Sequence, residues 1–424
     1  MDNILIEGGV PLKGALPISG SKNAVLPLMV AALLSDEALI LQGTPRLADT
    51  LHLAHVLREL GAEVEAFGEA RDEGLRVQVR EITSTRAPYE LVKKMRASFW
   101  VLGPLLARAG QAQVSLPGGC AIGTRPVDLY LQGLRLMGAQ LDMENGYVIA
   151  SAKNGLRGAQ IDLPFISVGA THVLMQAASL ADGETCITNA AAEPEVIDVG
   201  QCLQLMGAQI EGLGTNTIRI KGVSRLRGAT YRVARDRIEA GAFALAIAAS
   251  GGDAQLMGVN ADILGSLRPV LETIGVAIEA QENSLRIIGQ QDRLTATSIS
   301  TAPYPGFATD LQAPFMGVMC CAQGESQIRE TIFENRFMHV QELVRMGANI
   351  TLHGDTARVR GVAQLQAAPV MATDLRASIA LVIAGLAAQG TTRIGRVYHL
   401  DRGYERLEEK LSQCGARIWR ERDS

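Results

Sequence analysis

One short pattern recurs along this chain and limits what it can fold into: a helix end, a glycine, then the start of a strand. It stands as ELGAEVE around Gly61, LMGAQLD around Gly138, LMGAQIE around Gly207, TIGVAIE around Gly275, RMGANIT around Gly347 and QCGARIW around Gly415. The spacing, about 70 residues, exceeds that of common solenoids, so each unit is a small α/β assembly and not a single hairpin. Each glycine is expected in the left-handed conformation just past a helix.

A second landmark opens an earlier helix in each unit. Its copies are SKNA at Asn23, KMRA at Arg96, SVGA at Gly169, RIEA at Glu239, DLQA at Gln312 and DLRA at Arg376. The runs that follow, such as VLPLMVAALL and IALVIAGLAA, predict helices buried on nearly every side. A Gly or turn and a short strand come next (EALILQG, ETCITNA, ESQIRET, TTRIGRV), then the helix that ends in the first landmark. Each unit therefore has the order βαβαββ. One core of 424 residues would be too large, so six units are expected to pair into two groups of three. The expected domains are residues 22–233 and residues 1–21 with 234–424. The strand at Ile4–Glu7 would pair with the last unit, and the substrate would enter a cleft between domains.

Composition narrows the class. A net charge of −4 and only 4% aromatics argue against a nucleic-acid groove, which needs basic surface and stacking rings. The cysteines (120, 186, 202, 320, 321 and 414) show no CxxC spacing and are expected to be buried free thiols in a reducing compartment. MDNILIEGGV lacks the basic start of a signal peptide, and no apolar run is long enough to span a bilayer. A cytoplasmic protein with no membrane insertion is expected. Walker loop, HExxH and GxSxG motifs are missing from the sequence, so nucleotide hydrolysis, zinc proteolysis and serine hydrolysis lack support.

The chemistry concentrates at repeat-equivalent loops. Between Lys93 and Leu129 a basic helix start leads to LPGGCAIGTRPVDL, in which Cys120 stands five residues before Arg125. Gly118, Gly119 and Gly123 let this loop bend, and a thiol beside a guanidinium fits a lid over an anionic substrate. A surface loop with an incidental cysteine fits it too. Lys22, Arg96 and Arg376 stand at helix starts, and Arg125, Arg336 and Arg402 at a later loop of three units. Helix N-termini favour anions and arginine adds bidentate donors, so these cations point to a substrate with more than one anionic group. Taken singly, each also fits a structural ion pair. Asp236, Glu239, Asp310 and Asp374 stand at matching places; Asp310 and Asp374 suit either helix caps or a general base. His339 and His399 lie near the basic loops and receive no role.

The segments SGSKNAVLP, YELVKKMRASFWVLGPLLAR, VSLPGGCAIGTRPVDL, SVGAT, TDLQA, ENRFMHV, ATDLRAS and HLDRGYER, in this order, resemble the motif set of the enolpyruvyl transferase family, in the branch that acts on a UDP-amino sugar. The likeness runs from the first strand to about Glu408. It implies two domains, each of three βαβαββ repeats packed as an inside-out α/β barrel. It also implies transfer of the enolpyruvyl group of phosphoenolpyruvate to the 3′-hydroxyl of UDP-N-acetylglucosamine, with release of phosphate, at the first committed step of peptidoglycan synthesis.

By this resemblance Lys22, Arg96, Arg125 and Arg402 hold phosphoenolpyruvate, and Arg336 and Arg376 are further active-site arginines. Asn23 contacts the amino sugar. Asp310 lies by the sugar hydroxyl as the base, and Asp374 is a further substrate contact. Cys120, in a lid at about residues 115–126, is the general acid at the methylene carbon. Arg125, Pro126, Val127, Asp128 and Leu129, with Ser167, Val168, Gly169 and Ile332, contact the uridine nucleotide. Phe165 stands where some relatives carry Lys, and Tyr130 where some carry His. Adding an alcohol across the enol double bond needs one proton delivered to carbon and one removed from oxygen, so neither metal nor redox cofactor is expected. A thiol beside Arg125 should be alkylated by the epoxide fosfomycin. The sister reaction on shikimate 3-phosphate is disfavoured by the cysteine loop. A non-catalytic paralogue that binds the nucleotide sugar is disfavoured by intact Lys22, Cys120, Asp310 and Arg402. An RNA-processing enzyme of related repeat architecture is disfavoured by the acidic balance and the few aromatics.

Overall fold

The computed structural model describes residues 2–68, 73–117, 127–289 and 294–422. They form two compact units, residues 20–117 with 127–234 and residues 2–19 with 235–422.

All six repeat glycines have positive φ: +104° at Gly61, +91° at Gly138, +106° at Gly207, +101° at Gly275, +90° at Gly347 and +86° at Gly415. The residue after each returns its N–H to a leucine carbonyl five back: Ala62 to Leu57, Ala139 to Leu134, Ala208 to Leu203, Val276 to Leu271, Ala348 to Leu343 and Ala416 to Leu411. That is the long bond of a Schellman stop, which closes the helix and satisfies a terminal carbonyl. Each of those leucines is fully buried, so the same residue ends the helix and anchors it in the core.

Each repeat builds one mixed four-stranded sheet. In the second, Arg86–Ala87 runs parallel to Gln111–Ser115, which pairs antiparallel with Tyr147–Ser151, itself antiparallel to Gln140–Glu144. The third and fifth repeats copy this order, around Glu184–Thr188 and Glu325–Arg329. The remaining sheets borrow strands from far along the chain. Ala229–Arg232 supplies the parallel edge of the first sheet, beside Leu39–Gln42. Lys13–Pro17 does the same for the fourth, beside Asp253–Met257. Asn3–Glu7 lies between Thr391–Gly395 and Arg417–Glu421, so the first strand pairs with the last repeat.

The earlier helix of each repeat lies inside its unit. Every residue from Ile238 to Ala248 in Arg237–Ala249, and from Leu375 to Leu386 in Leu375–Ala387, is buried. Small side chains let these helices approach: Gly317 in Gln312–Met319 faces the Ala380 carbonyl, where a Cβ would sit only 3.0 Å away. The later helices lie outside and bury one face, leaving Leu136 and Leu205 exposed. The fold is thus a two-unit α/β assembly of six repeats, three in each unit. No helix among the described residues is long and apolar enough to cross a membrane.

Candidate active site

In the unit of residues 2–19 and 235–422, two of the cations expected from the sequence, Arg336 and Arg376, converge on one acid. Asp310 sits in the short turn Thr309–Leu311, just before the helix Gln312–Met319. Arg336 Nη2 donates to its Oδ1 and Arg376 Nη2 to its Oδ2, both at 2.7 Å. The two arginines are 5% and 4% exposed, while the carboxylate retains 23% exposure. Burial alone would raise the carboxyl pKa, but the charges of Arg376 and Arg336 outweigh it and hold Asp310 well below the usual carboxylate range. Arg376 Nη1 also reaches the Tyr404 hydroxyl at 3.2 Å, and burial pushes that phenol well above its ordinary value.

Asp374 accepts from the backbone N–H groups of Arg376 and Ala377, at 2.9 and 3.0 Å, as the cap of Leu375–Ala387. The cap fixes the turn from which Arg376 projects. His339 is buried, which brings its pKa down to about 4 despite the opposing pull of Asp374. His399 shifts down as well, through burial and the charge of Arg402. Arg402 closes the 3-10 turn Val397–Arg402 and is half-buried. Ile332 is half-buried in the loop after Glu325–Arg329.

In the unit of residues 20–117 and 127–234, Lys22 opens the helix Lys22–Ala31 behind the Ser21 cap. A lysine is poorly placed at the positive end of a helix, and this one is 9% exposed. Asp49, in the first turn of Ala48–Glu59 and 4% exposed, meets its Nζ at 2.9 Å. Asn23 follows on the same helix, and Arg96 begins the 3-10 turn Arg96–Val101; both are half-buried.

Val127, Asp128 and Leu129 form the start of the helix Asp128–Leu136. It packs on Val168–Ala178, whose cap Ser167 accepts from the Ala170 N–H at 3.3 Å. Val168 and Gly169 are the first residues of that helix, and a Cβ on Gly169 would lie 2.2 Å from the Tyr130 hydroxyl. Phe165, just ahead of the cap, is exposed. Cys120, Arg125 and Pro126 lie outside the described residues. Of the other cysteines, Cys186, Cys202, Cys320 and Cys414 are buried and free, and burial raises the Cys202 thiol to about 12. No cluster of His, Cys, Asp and Glu among the described residues is placed to hold a metal ion.

Sequence reasoning missed the supports of these residues: Asp49 beneath Lys22, Tyr404 beside Arg376, and Thr309 and Glu330 behind Arg336. Glu330 had one visible signal. It is an acid at the end of a strand, followed by a Thr and an apolar pair, where a side chain can cap a loop.

A family model described as EPSP synthase (3-phosphoshikimate 1-carboxyvinyltransferase) matches residues 6–411. The UDP-N-acetylglucosamine 1-carboxyvinyltransferase of Azorhizobium caulinodans is 57% identical, with 99% of each chain covered. The protein of the same name from Agrobacterium fabrum is 55% identical over the full length of both chains. Among solved structures, the enolpyruvyl transferase NikO from Streptomyces tendae shares the fold with a TM-score of 0.89 at 24% identity, over 100% of this chain and 99% of that one. EPSP synthase from Acinetobacter baumannii gives 0.74 at 19% identity over the whole of both chains. The profile and both structures place the architecture, and more than half of all positions agree with the nucleotide-sugar enzymes. The chain therefore belongs to the enolpyruvyl transferase family, among the UDP-N-acetylglucosamine 1-carboxyvinyltransferases.

Proposed function

We infer that this chain is a transferase that moves the enolpyruvyl group of phosphoenolpyruvate to the 3′-hydroxyl of UDP-N-acetylglucosamine, releasing phosphate, in peptidoglycan synthesis. The observation that carries this reading is full-length identity of 55–57% to enzymes of that name.

The reaction is addition followed by elimination. The 3′-oxygen bonds to C2 of the enol while C3 gains a proton and becomes a methyl group. Phosphate then leaves C2, C3 gives a proton back, and the double bond re-forms as an enol ether. Lys22, Arg96, Arg125 and Arg402 hold the phosphate and carboxylate of phosphoenolpyruvate, where their charges stabilise the leaving phosphate. Cys120 supplies the proton to C3. Asn23 and Asp374 contact the sugar side of the substrates. Val127, Asp128, Leu129, Ser167, Val168, Gly169 and Ile332, with Pro126, contact the nucleotide.

Asp310 orients the sugar hydroxyl. A carboxylate gripped by two guanidinium groups is a weak base. It therefore receives the proton late, once bond formation to C2 has made the hydroxyl acidic. Arg336 and Arg376 act through it as well as on the substrate.

Incubation with both substrates should yield a product whose proton NMR spectrum shows the two vinyl protons of an enol ether on the sugar. Fosfomycin should alkylate the enzyme at one residue, and Cys120→Asp should keep activity and resist the epoxide. Inactivation of that variant by fosfomycin contradicts the role given to Cys120.

A further inference from the structure

Glu330 places a carboxylate where a charge is costly. It follows the strand Glu325–Arg329, is 2% exposed, and among the described residues forms no ion pair. Its partners are four neutral donors. The Thr301 hydroxyl and the backbone N–H groups of Ile332 and Phe333 donate to Oε1 at 3.0, 2.8 and 3.1 Å. The Thr309 hydroxyl donates to Oε2 at 2.8 Å. An unpaired buried carboxylate is retained only where its acceptors are needed.

Two of those partners lead to the candidate active site. Arg336 Nη1 donates to Thr309 Oγ1 at 2.8 Å, so that hydroxyl must send its own hydrogen elsewhere, and Glu330 accepts it. The order of donation runs from Arg336 through Thr309 to Glu330, while the other arm of Arg336 grips Asp310. On its second oxygen Glu330 holds the loop of Ile332 and Phe333, and the Phe333 ring lies 5.4 Å from the Arg336 guanidinium.

We propose that Glu330 is a positioning residue for the transfer reaction, fixing Arg336 on Asp310 through Thr309 and setting the Ile332 backbone at the nucleotide. This rests on the roles given above to Asp310, Arg336 and Ile332. Only a carboxylate suits the place. Glutamine has almost the same shape, but its amide nitrogen must face either Thr309 or the two backbone N–H groups. Facing the backbone it sets donor against donor; facing Thr309 it leaves the Thr309 hydroxyl hydrogen, displaced by the donation from Arg336, without its acceptor.

The test compares Glu330→Gln, Thr309→Val and Thr309→Ser by steady-state kinetics and thermal melting. Thr309→Val should lower kcat at least about tenfold, with little change in KM for the nucleotide sugar. Glu330→Gln should lower kcat similarly and also raise that KM, because it disturbs Ile332 as well. Thr309→Ser keeps the hydroxyl and should retain near-wild-type kcat. The Glu330→Gln/Thr309→Val double variant should be no slower than its slower parent, as expected for one shared path. If Glu330→Gln does not fold, the two Thr309 variants carry the comparison. Wild-type kcat in folded Thr309→Val and Glu330→Gln, while Asp310→Ala is inactive, overturns the inference and leaves the site reading intact. An active Asp310→Ala overturns both.

Discussion

Arg376 grips Asp310 from 66 positions further along the chain, Nη2 to Oδ2 at 2.7 Å. The contact joins the starts of two inner helices of one unit, Gln312–Met319 and Leu375–Ala387.

Asp310→Asn leaves two buried guanidinium groups facing a neutral amide. Loss of roughly 3 kcal/mol or more of stability is expected, as for other broken buried pairs. The pH dependence follows from the direction of the shift. The folded-state pKa of Asp310 is depressed, so its contribution is fully present above the unfolded carboxylate pKa of about 3.9 and is lost as pH falls through the folded value. Urea unfolding of the variant should therefore show a weaker decline below about pH 4 than the wild type.

Lys410 and Glu239 form a second buried pair at 2.7 Å, and Ser19 bonds to both. Burial raises the Glu239 pKa, opposed by the charge of Lys410. Lys410→Met should cost roughly 3–5 kcal/mol at pH 7, because the carboxylate keeps the Ser19 N–H but loses its buried counter-charge. With its pKa raised further, Glu239 takes up a proton in the folded state more readily than in the unfolded state. The penalty should shrink as pH is lowered from 7 to 5, as read by urea denaturation at each pH.

Gly169→Ala should be felt through Tyr130, whose hydroxyl lies 2.2 Å from the new methyl position. Overpacking of this kind costs about 1–3 kcal/mol. Because Gly169 opens the helix assigned to the nucleotide, KM for the nucleotide sugar should rise too. Tyr130→Phe removes the clashing atom, so the double variant should recover part of both losses.

The repeat was legible because each copy needs the same two things, a left-handed residue and a core leucine, and both leave a mark in sequence. The pairing of the first strand with the last repeat was legible as well, but the use of Lys13–Pro17 and Ala229–Arg232 as edges of the fourth and first sheets was not. Asn3–Glu7 and Lys13–Pro17 are close enough in sequence to form a hairpin, yet they join different sheets, because each fills a place that its repeat cannot fill itself. The cations of the candidate site were visible as charges at repeat-equivalent loops. Their partners were not. Nothing in TDLQA distinguishes a carboxylate shared by two arginines from a helix cap, whereas the carboxylate in TDLRA is the cap. Asp49 meets Lys22 from another helix, and Glu330 reaches Arg336 through Thr309 of an earlier turn; sequence spacing shows neither link.

The most direct measurement is phosphate release from phosphoenolpyruvate with a single acceptor present, either UDP-N-acetylglucosamine or shikimate 3-phosphate. Release with the nucleotide sugar alone is the predicted result. Release with shikimate 3-phosphate, or with neither acceptor although the nucleotide sugar binds, contradicts the assigned reaction.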